Sequence, residues 1–180
     1  MINEKNVLSG GFHIQPGFLS NNEFNDLNDK IKNLDYIETH QPSNLQLGNR
    51  FQGYPCYEKN DDSITKLMYS KVKNLFERDL QSFQCIVRKV VGEELKMSKV
   101  NTQYGIVHSD NENPTFASVL QFDQTTNGGT AFFENSWDKH PDIIVGSYPN
   151  RLLIYNGCRH HAPMYDFTYK QRYVIASFWY

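Results

Sequence analysis

Positive charge is in short supply. Eighteen Lys and Arg stand against 20 Asp and Glu, for a formal net charge of −2 and a pI near 6.3. Such a chain has no basic field with which to grip a phosphate backbone, which argues against nucleic acid as a partner. Cysteine is scarce as well: Cys56, Cys85 and Cys158 are far apart and odd in number. That pattern excludes a disulfide framework and a paired CxxC metal knuckle, and it points to a reducing, cytoplasmic setting. No apolar run approaches the ~18 residues that a membrane-spanning helix needs, and the opening residues lack the basic segment and apolar run of a signal peptide. Internal repeats and low-complexity tracts are missing. So is the zinc-protease pattern of two histidines four apart on a helix with a Glu between them. Gly128-Gly129 lacks the GxxxxGK(S/T) context of a phosphate cradle and reads as a turn before a strand.

What is present divides by pattern. Aromatics are plentiful, with 11 Tyr and 12 Phe in 180 residues, a composition that leans towards β structure. In the first half, FHIQPGFL (12–19) reads as a short strand and turn. Ser20 with Glu23 makes a capping box for a helix over 21–34, whose apolar face carries Phe24, Leu27, Ile31 and Leu34. Residues 40–60 read as loop. A second helical pattern opens at Asp61–Ser63, keeps its period through Leu80 and is expected to run to about 92. From Ser98 on, short β-like runs follow one another: KVNTQYGIVH, ASVLQF, GTAFFEN, DIIVGS, NRLLIYNG and RYVIASFWY. Six short strands without an intervening helix imply a sandwich, barrel or jelly roll. The expected fold is α+β, mainly β, with the N-terminal helices packed on the outside of the sheet. Residues 1–180 are taken as one domain, with 1–97 a mostly helical support and 98–180 the β core.

The chemistry concentrates at His108-Ser109-Asp110. In a strand, residues i and i+2 share a face, so an imidazole nitrogen and a carboxylate oxygen aim at one point. A third ligand has to come from elsewhere, and His160 and His161 follow the strand NRLLIYNG. Two histidines and one carboxylate form the facial triad that leaves three positions open on Fe(II) for oxygen chemistry; zinc also accepts these ligands. A lone HxD also arises as an ordinary hydrogen-bonded histidine at a strand end. Arg172, at the start of the last apolar run, is a second unusual feature. A guanidinium there is costly to bury without an anion, and its fork suits a carboxylate. That carboxylate is either a local one such as Asp166 or the far end of a dicarboxylate cosubstrate.

In this order, HSD, NGGTAFF, NRLLIYNGCRHHAP and QRYVIASFWY resemble the Fe(II)/2-oxoglutarate-dependent dioxygenases, most closely their prolyl-4-hydroxylase-like branch. The resemblance covers about residues 98–180. It implies a double-stranded β-helix, or jelly roll, with Fe(II) and 2-oxoglutarate in its mouth and O2 as co-reactant. It assigns Fe(II) to His108, Asp110 and a distal histidine, and the distal carboxylate of 2-oxoglutarate to Arg172. Adjacent strand residues face opposite sides, so only one of His160 and His161 can ligate. The family's spacing to the basic residue favours His161, eleven residues before Arg172. Tyr104, four residues before His108 and thus expected on the same strand face, resembles an aromatic that the family keeps near the cosubstrate. Gln121 matches a position where relatives place a polar side chain near it.

The implied reaction is hydroxylation of a C–H bond in a peptide side chain, an amino acid or a small metabolite. The carboxylate at Asp110 fits hydroxylation, since halogenating relatives tend to carry a small residue there. Zinc and nickel compete well for the same donors. The alternatives are a non-catalytic jelly-roll binding module, and a cupin-like metal enzyme that does not use 2-oxoglutarate.

Overall fold

In a computed structural model of the chain, residues 1–38, 56–92, 104–105, 107–113, 115–123, 128–164 and 171–180 are described. Among the described residues, three helices, α1 (Glu4–Leu8), α2 (Asn21–Lys32) and α3 (Asp62–Lys73), accompany ten strands. The strands are β1 (His13–Pro16), β2 (Ile37–Glu38), β3 (Tyr57–Lys59), β4 (Gln84–Val91), β5 (Phe116–Gln121), β6 (Gly129–Phe132), β7 (Ile143–Gly146), β8 (Arg151–Asn156), β9 (His161–Met164) and β10 (Gln171–Trp179). A seven-stranded sheet has the order β1-β8-β5-β10-β4-β3-β2, and a three-stranded sheet the order β7-β6-β9. All pairings are antiparallel. From β5 on, the chain passes from the large sheet to the small one and back: β5 large, β6 and β7 small, β8 large, β9 small, β10 large. This is the winding expected of a jelly roll, and the class is α+β and mainly β, as expected.

The helices start where the sequence signals them. The Ser20 side chain accepts from Glu23 N–H and Glu23 answers to the Ser20 backbone, closing the capping box of α2. Asp61 caps α3 by accepting from Ile64 N–H at 2.9 Å. Their apolar faces, with Leu27 and Ile31 on α2 and Ile64, Met68 and Val72 on α3, bury against one face of the large sheet. There they meet Val87, Phe116, Leu120, Leu152, Ile175 and Trp179. The other face of the large sheet meets the small sheet through Ala117, Leu153, Tyr155, Phe132 and Val145.

Trp179 anchors the helix-side layer. Its ring stacks on Phe116 with centroids 5.8 Å apart and meets Phe76 edge-on at 5.7 Å. Trp179→Ala is expected to cost about 3–5 kcal/mol, the usual penalty for emptying a large aromatic site. Urea unfolding of the two proteins reads this directly as a lowered midpoint.

One expectation is corrected. The helical pattern does not run to residue 92: α3 ends at Lys73, and Gln84–Val91 is a strand at the heart of the large sheet, paired with β10 from Gln171↔Val91 to Phe178↔Gln84. The run QCIVRKVV is rich in β-branched residues and alternates Cys85 and Val87 outward to the helices with Ile86 and Arg88 inward. Period-2 packing against β10 overrides a helical reading of the same letters. The first half is therefore more than a helical support, since it supplies a core strand. Most of the expected 40–60 loop lies outside the described residues, and its end, Tyr57–Lys59, is strand β3.

Candidate metal centre

Strand β9 and the segment through His108 carry the two histidines. His108 and His161 face each other as a hydrogen-bonded pair, each N–H donating to the other's carbonyl at 2.9 and 2.8 Å. Their ring centroids are 4.5 Å apart. Asp110 joins them because its N–H and that of Asn111 both donate to Gly157 O, at 2.8 and 3.3 Å. Gly157 has no room for a side chain: a Cβ there would come within 2.6 Å of Thr115 Oγ1. One potential ligand atom from each of His108, Asp110 and His161 lies within 4.8 Å of the other two.

Second contacts fix the donor atoms. His161 Nδ1 lies 2.8 Å from Arg159 O, which makes it the protonated nitrogen and leaves the Nε2 lone pair facing Asp110 Oδ2 at 3.4 Å. An imidazole oriented by a backbone carbonyl is the usual arrangement of a metal-ligating histidine. His160 faces the other way, with Nδ1 3.2 Å from Glu134 O. Between the two neighbours, the geometry thus brings His161 to Asp110.

Electrostatics keep His161 and Asp110 in their ligating forms. Burial, reinforced by the His108 charge and opposed by Asp110, lowers the His161 imidazole from 6.5 to about 4. Burial works to raise the Asp110 carboxyl, but the hydrogen bond from His108 and the charges of His161, His108 and Arg88 outweigh it and hold it below the ordinary carboxylate range. Neutral imidazole and ionised carboxylate are the forms that bind metal.

These shifts have a consequence for stability. Above pH ~6.5 His161 is neutral in both the folded and the unfolded chain. Between about 6.5 and 4 the unfolded chain takes up a proton that the folded one refuses. The metal-free protein should therefore lose stability as pH falls through that window, by at most about 3 kcal/mol from this residue. Thermal melts of the metal-free protein from pH 7 to 4 should show the decline, and His161→Gln should flatten it. An equal slope in the variant would contradict this assignment.

At the other end of β9 lies Arg172, 4% exposed. Its guanidinium crosses between the sheets, donating to Met164 O and Gly129 O at 3.1 Å each. Met164 and Gly129 are themselves paired. Gly129 sits at φ +149°, and a Cβ would lie 2.2 Å from Val145 O, so only glycine fits where this carbonyl must be presented. Among the described residues Arg172 forms no ion pair, although its charge reaches the Asp123 carboxylate, which accepts from the adjacent Tyr173 N–H; its Nε has no hydrogen-bond partner, and Asp166 lies outside the described residues. Gln121 is fully buried on the same face, with Oε1 accepting from Tyr148 N–H at 2.9 Å and Nε2 without a partner. Gln121 is opposite Val174, which makes Arg172 its diagonal neighbour at roughly 7–8 Å. Met164 is three steps along β9 from His161, roughly 10 Å along the strand.

Tyr104 does not share the face of His108. Two bridges, His108↔His161 and Tyr104↔Met164, set four steps on one side against three on the other. The extra residue is a bulge, which reverses the parity of the strand. Tyr104 therefore packs on the far side of the small sheet with Ala131, Phe133 and Ala162, its ring edge-on to Phe133 at 5.7 Å.

Two neighbours of the triad were not legible in advance. Tyr155, buried on β8, points its hydroxyl to Asp110 Oδ2 at 3.3 Å and His161 Nε2 at 3.1 Å. Burial, with the Asp110 charge adding to it, pushes its phenol well above the usual range, so it stays protonated. Arg88, on β4, donates from Nε to Glu58 Oε1 at 2.8 Å. It lines a cleft of about 450 Å³ together with Ile86, His108, Asp110, Thr115 and Phe178. Alternation along β4 was the signal that could have found it.

The sequence matches no family model and no curated protein. The structure, in contrast, has close parallels. A prolyl hydroxylase from Trichoplax adhaerens, solved with a peptide fragment of the hypoxia inducible factor oxygen degradation domain, superposes with a TM-score of 0.66 at 16% identity. The match covers 98% of this chain and 88% of that one. The fold is that of the 2-oxoglutarate- and Fe(II)-dependent oxygenases. A Pseudomonas putida prolyl-4-hydroxylase gives 0.64 at 12% identity over 98% and 95% of the two chains. HygX from Streptomyces hygroscopicus, solved with nickel, 2-oxoglutarate and hygromycin B, gives 0.64 at 11% over 99% and 87%.

Proposed function

We propose that residues 1–180 form one oxygenase domain that uses Fe(II), 2-oxoglutarate and O2 to hydroxylate a C–H bond of a peptide side chain, an amino acid or a small metabolite. The carrying observation is the convergence of His108, Asp110 and His161, within 4.8 Å, on a fold that oxygenases of this kind share. The donor set suits Fe(II): two imidazoles and a carboxylate on rigid strands, with the remaining positions open. Held by His108, Asp110 and His161, Fe(II) would supply, with 2-oxoglutarate and O2, the oxidising power for C–H hydroxylation, 2-oxoglutarate being oxidised to succinate and CO2.

The chain's own residues bind and orient. His108, Asp110 and His161 hold the metal. Arg172 and Gln121 receive the distal carboxylate of 2-oxoglutarate, and the case rests on two buried N–H donors without a partner, Arg172 Nε and Gln121 Nε2, on diagonal neighbours of one sheet face. A short dicarboxylate that chelates at one end of β9 and pairs at the other satisfies both. Tyr104, which packs against Phe133, Ala131 and Ala162, is assigned no cosubstrate contact. Substrate enters by the cleft beside Arg88 and Phe178. Among the structural parallels, one is solved with a peptide and one with hygromycin B, which supports keeping both peptide and small-molecule substrates. The cytoplasmic setting is proposed from the scarce, scattered cysteines of the sequence alone, and no described helix is long and apolar enough to cross a membrane.

The test is release of succinate from 2-oxoglutarate by the Fe(II)-loaded protein under air. Release that stops without Fe(II) or O2 supports the reading. A folded, iron-loaded protein that releases none, with or without candidate peptides and amino acids, counts against it.

A further inference from the structure

A phenol lies directly on the proposed metal site. Tyr155 Oη is 3.1 Å from His161 Nε2 and 3.3 Å from Asp110 Oδ2, while Asp110 Oδ1 is turned the other way, 3.7 Å from His108 Nε2. The ring is held firmly. It is 2% exposed, meets Phe132 edge-on at 5.1 Å and lies 4.8 Å from the His161 ring. In the metal-free protein the single O–H has two acceptors to choose from. His161 Nε2 is one, because Nδ1 carries the proton that it gives to Arg159 O. Asp110 Oδ2 is the other.

A metal on His161 takes the Nε2 lone pair. Among the described residues, the phenol then has one acceptor left, Asp110 Oδ2. We propose that Tyr155 is a positioning residue of the metal centre, whose hydroxyl engages Asp110 Oδ2 when the metal binds and so leaves Oδ1 alone to ligate. The inference rests on the metal-binding reading above and deepens it. Its chemical point is the number of open positions. A carboxylate that ligates through one oxygen leaves about three of six positions free on an octahedral ion, enough for a chelating 2-oxoacid and O2. A carboxylate that swings to ligate through both oxygens leaves about two, and O2 has no place.

The experiment uses Mn(II) as the probe metal, in the wild type and in Tyr155→Phe. The phenylalanine keeps the ring packing and removes only the hydroxyl, and far-UV circular dichroism and the melting temperature of the metal-free protein check that the fold persists. Water-proton relaxation counts the exchangeable waters on Mn(II). The expected result is about three waters in the wild type and about two in the variant, with Mn(II) affinity weakened ~10–100-fold, as when a partner of a metal ligand is lost. Equal water counts and equal affinity in two metal-binding proteins overturn the role of Tyr155 and leave the proposed function standing. If the Fe(III)-loaded wild type shows an intense phenolate-to-iron absorption that Tyr155→Phe loses, the phenol is itself a ligand and the positioning role is overturned. Wild type that binds no Mn(II) and no Fe(II) overturns both this inference and the reading it rests on.

Discussion

Asp110→Asn should leave a folded protein that no longer holds iron. The amide keeps the shape of the carboxylate and its place beside Gly157, where the backbone N–H groups of residues 110 and 111 fix the turn. It loses the negative charge that faces His108 at 3.7 Å and His161 at 3.4 Å. Two imidazoles remain, one anionic ligand short of the donor set that suits Fe(II). Loss of an outer partner of a ligand costs ~10–100-fold in metal affinity, and loss of a ligand should exceed that. We expect Fe(II) affinity to fall by more than ~100-fold and 2-oxoglutarate turnover to reach background. Anaerobic competition against a chromophoric chelator measures the first. The metal-free variant should melt close to the wild type at pH 7, because the change is isosteric and removes a buried charge. Unchanged Fe(II) affinity would place the metal elsewhere.

Arg172→Leu should separate cosubstrate binding from metal binding. The guanidinium spends two of its five N–H groups on Met164 O and Gly129 O. The rest are available to an anion. Hydrogen bonds to charged groups are worth about 1.5–3 kcal/mol each, so losing a two-pronged carboxylate contact corresponds to ~100-fold or more in 2-oxoglutarate affinity. Fe(II) affinity should change by no more than a few-fold, because the triad sits roughly 10 Å away along β9. Arg172→Lys should fall between the two, keeping the charge without the fork. A stability loss of about 1–3 kcal/mol should accompany Arg172→Leu, since two carbonyls between the sheets lose their donor. Calorimetric titration of 2-oxoglutarate into the metal-loaded proteins measures the main effect. Equal affinities in wild type and leucine variant would remove Arg172 from the cosubstrate site.

Much of this site could be read from the letters, and the exceptions have physical causes. The i, i+2 rule points to His108 with Asp110, and the structure brings them together through a bend at Asp110 held by Gly157 O. The same rule failed for Tyr104, because one extra residue between two bridges reverses the parity and nothing in QYGIVH announces it. The family's spacing to Arg172 favours His161 over His160, while periodicity alone leaves the two open, because β9 is a four-residue strand containing Pro163 with no strand signature of its own. Arg172 stood out as a cation opening an apolar run, and it is buried as that position suggested. β4 was missed because QCIVRKVV follows a true helix closely and its apolar letters suit either period; pairing with β10 decides it. With β4 went Arg88 and one wall of the cleft. Tyr155 lay on a strand correctly read, but its meeting with Asp110, 45 residues earlier, depends on the two sheets facing each other. Contacts of that kind are set by topology, and local pattern does not encode them.

The most direct test of the central claim is the visible spectrum of the protein with Fe(II) and 2-oxoglutarate under anaerobic conditions. A 2-oxoacid chelated to Fe(II) gives a metal-to-ligand charge-transfer band that neither component shows alone. The account predicts the band in the wild type, its absence in Asp110→Asn and His161→Gln, and its retention in His160→Gln. A folded, iron-loaded wild type without the band, or a band that survives the loss of His161 and vanishes with His160, would contradict it.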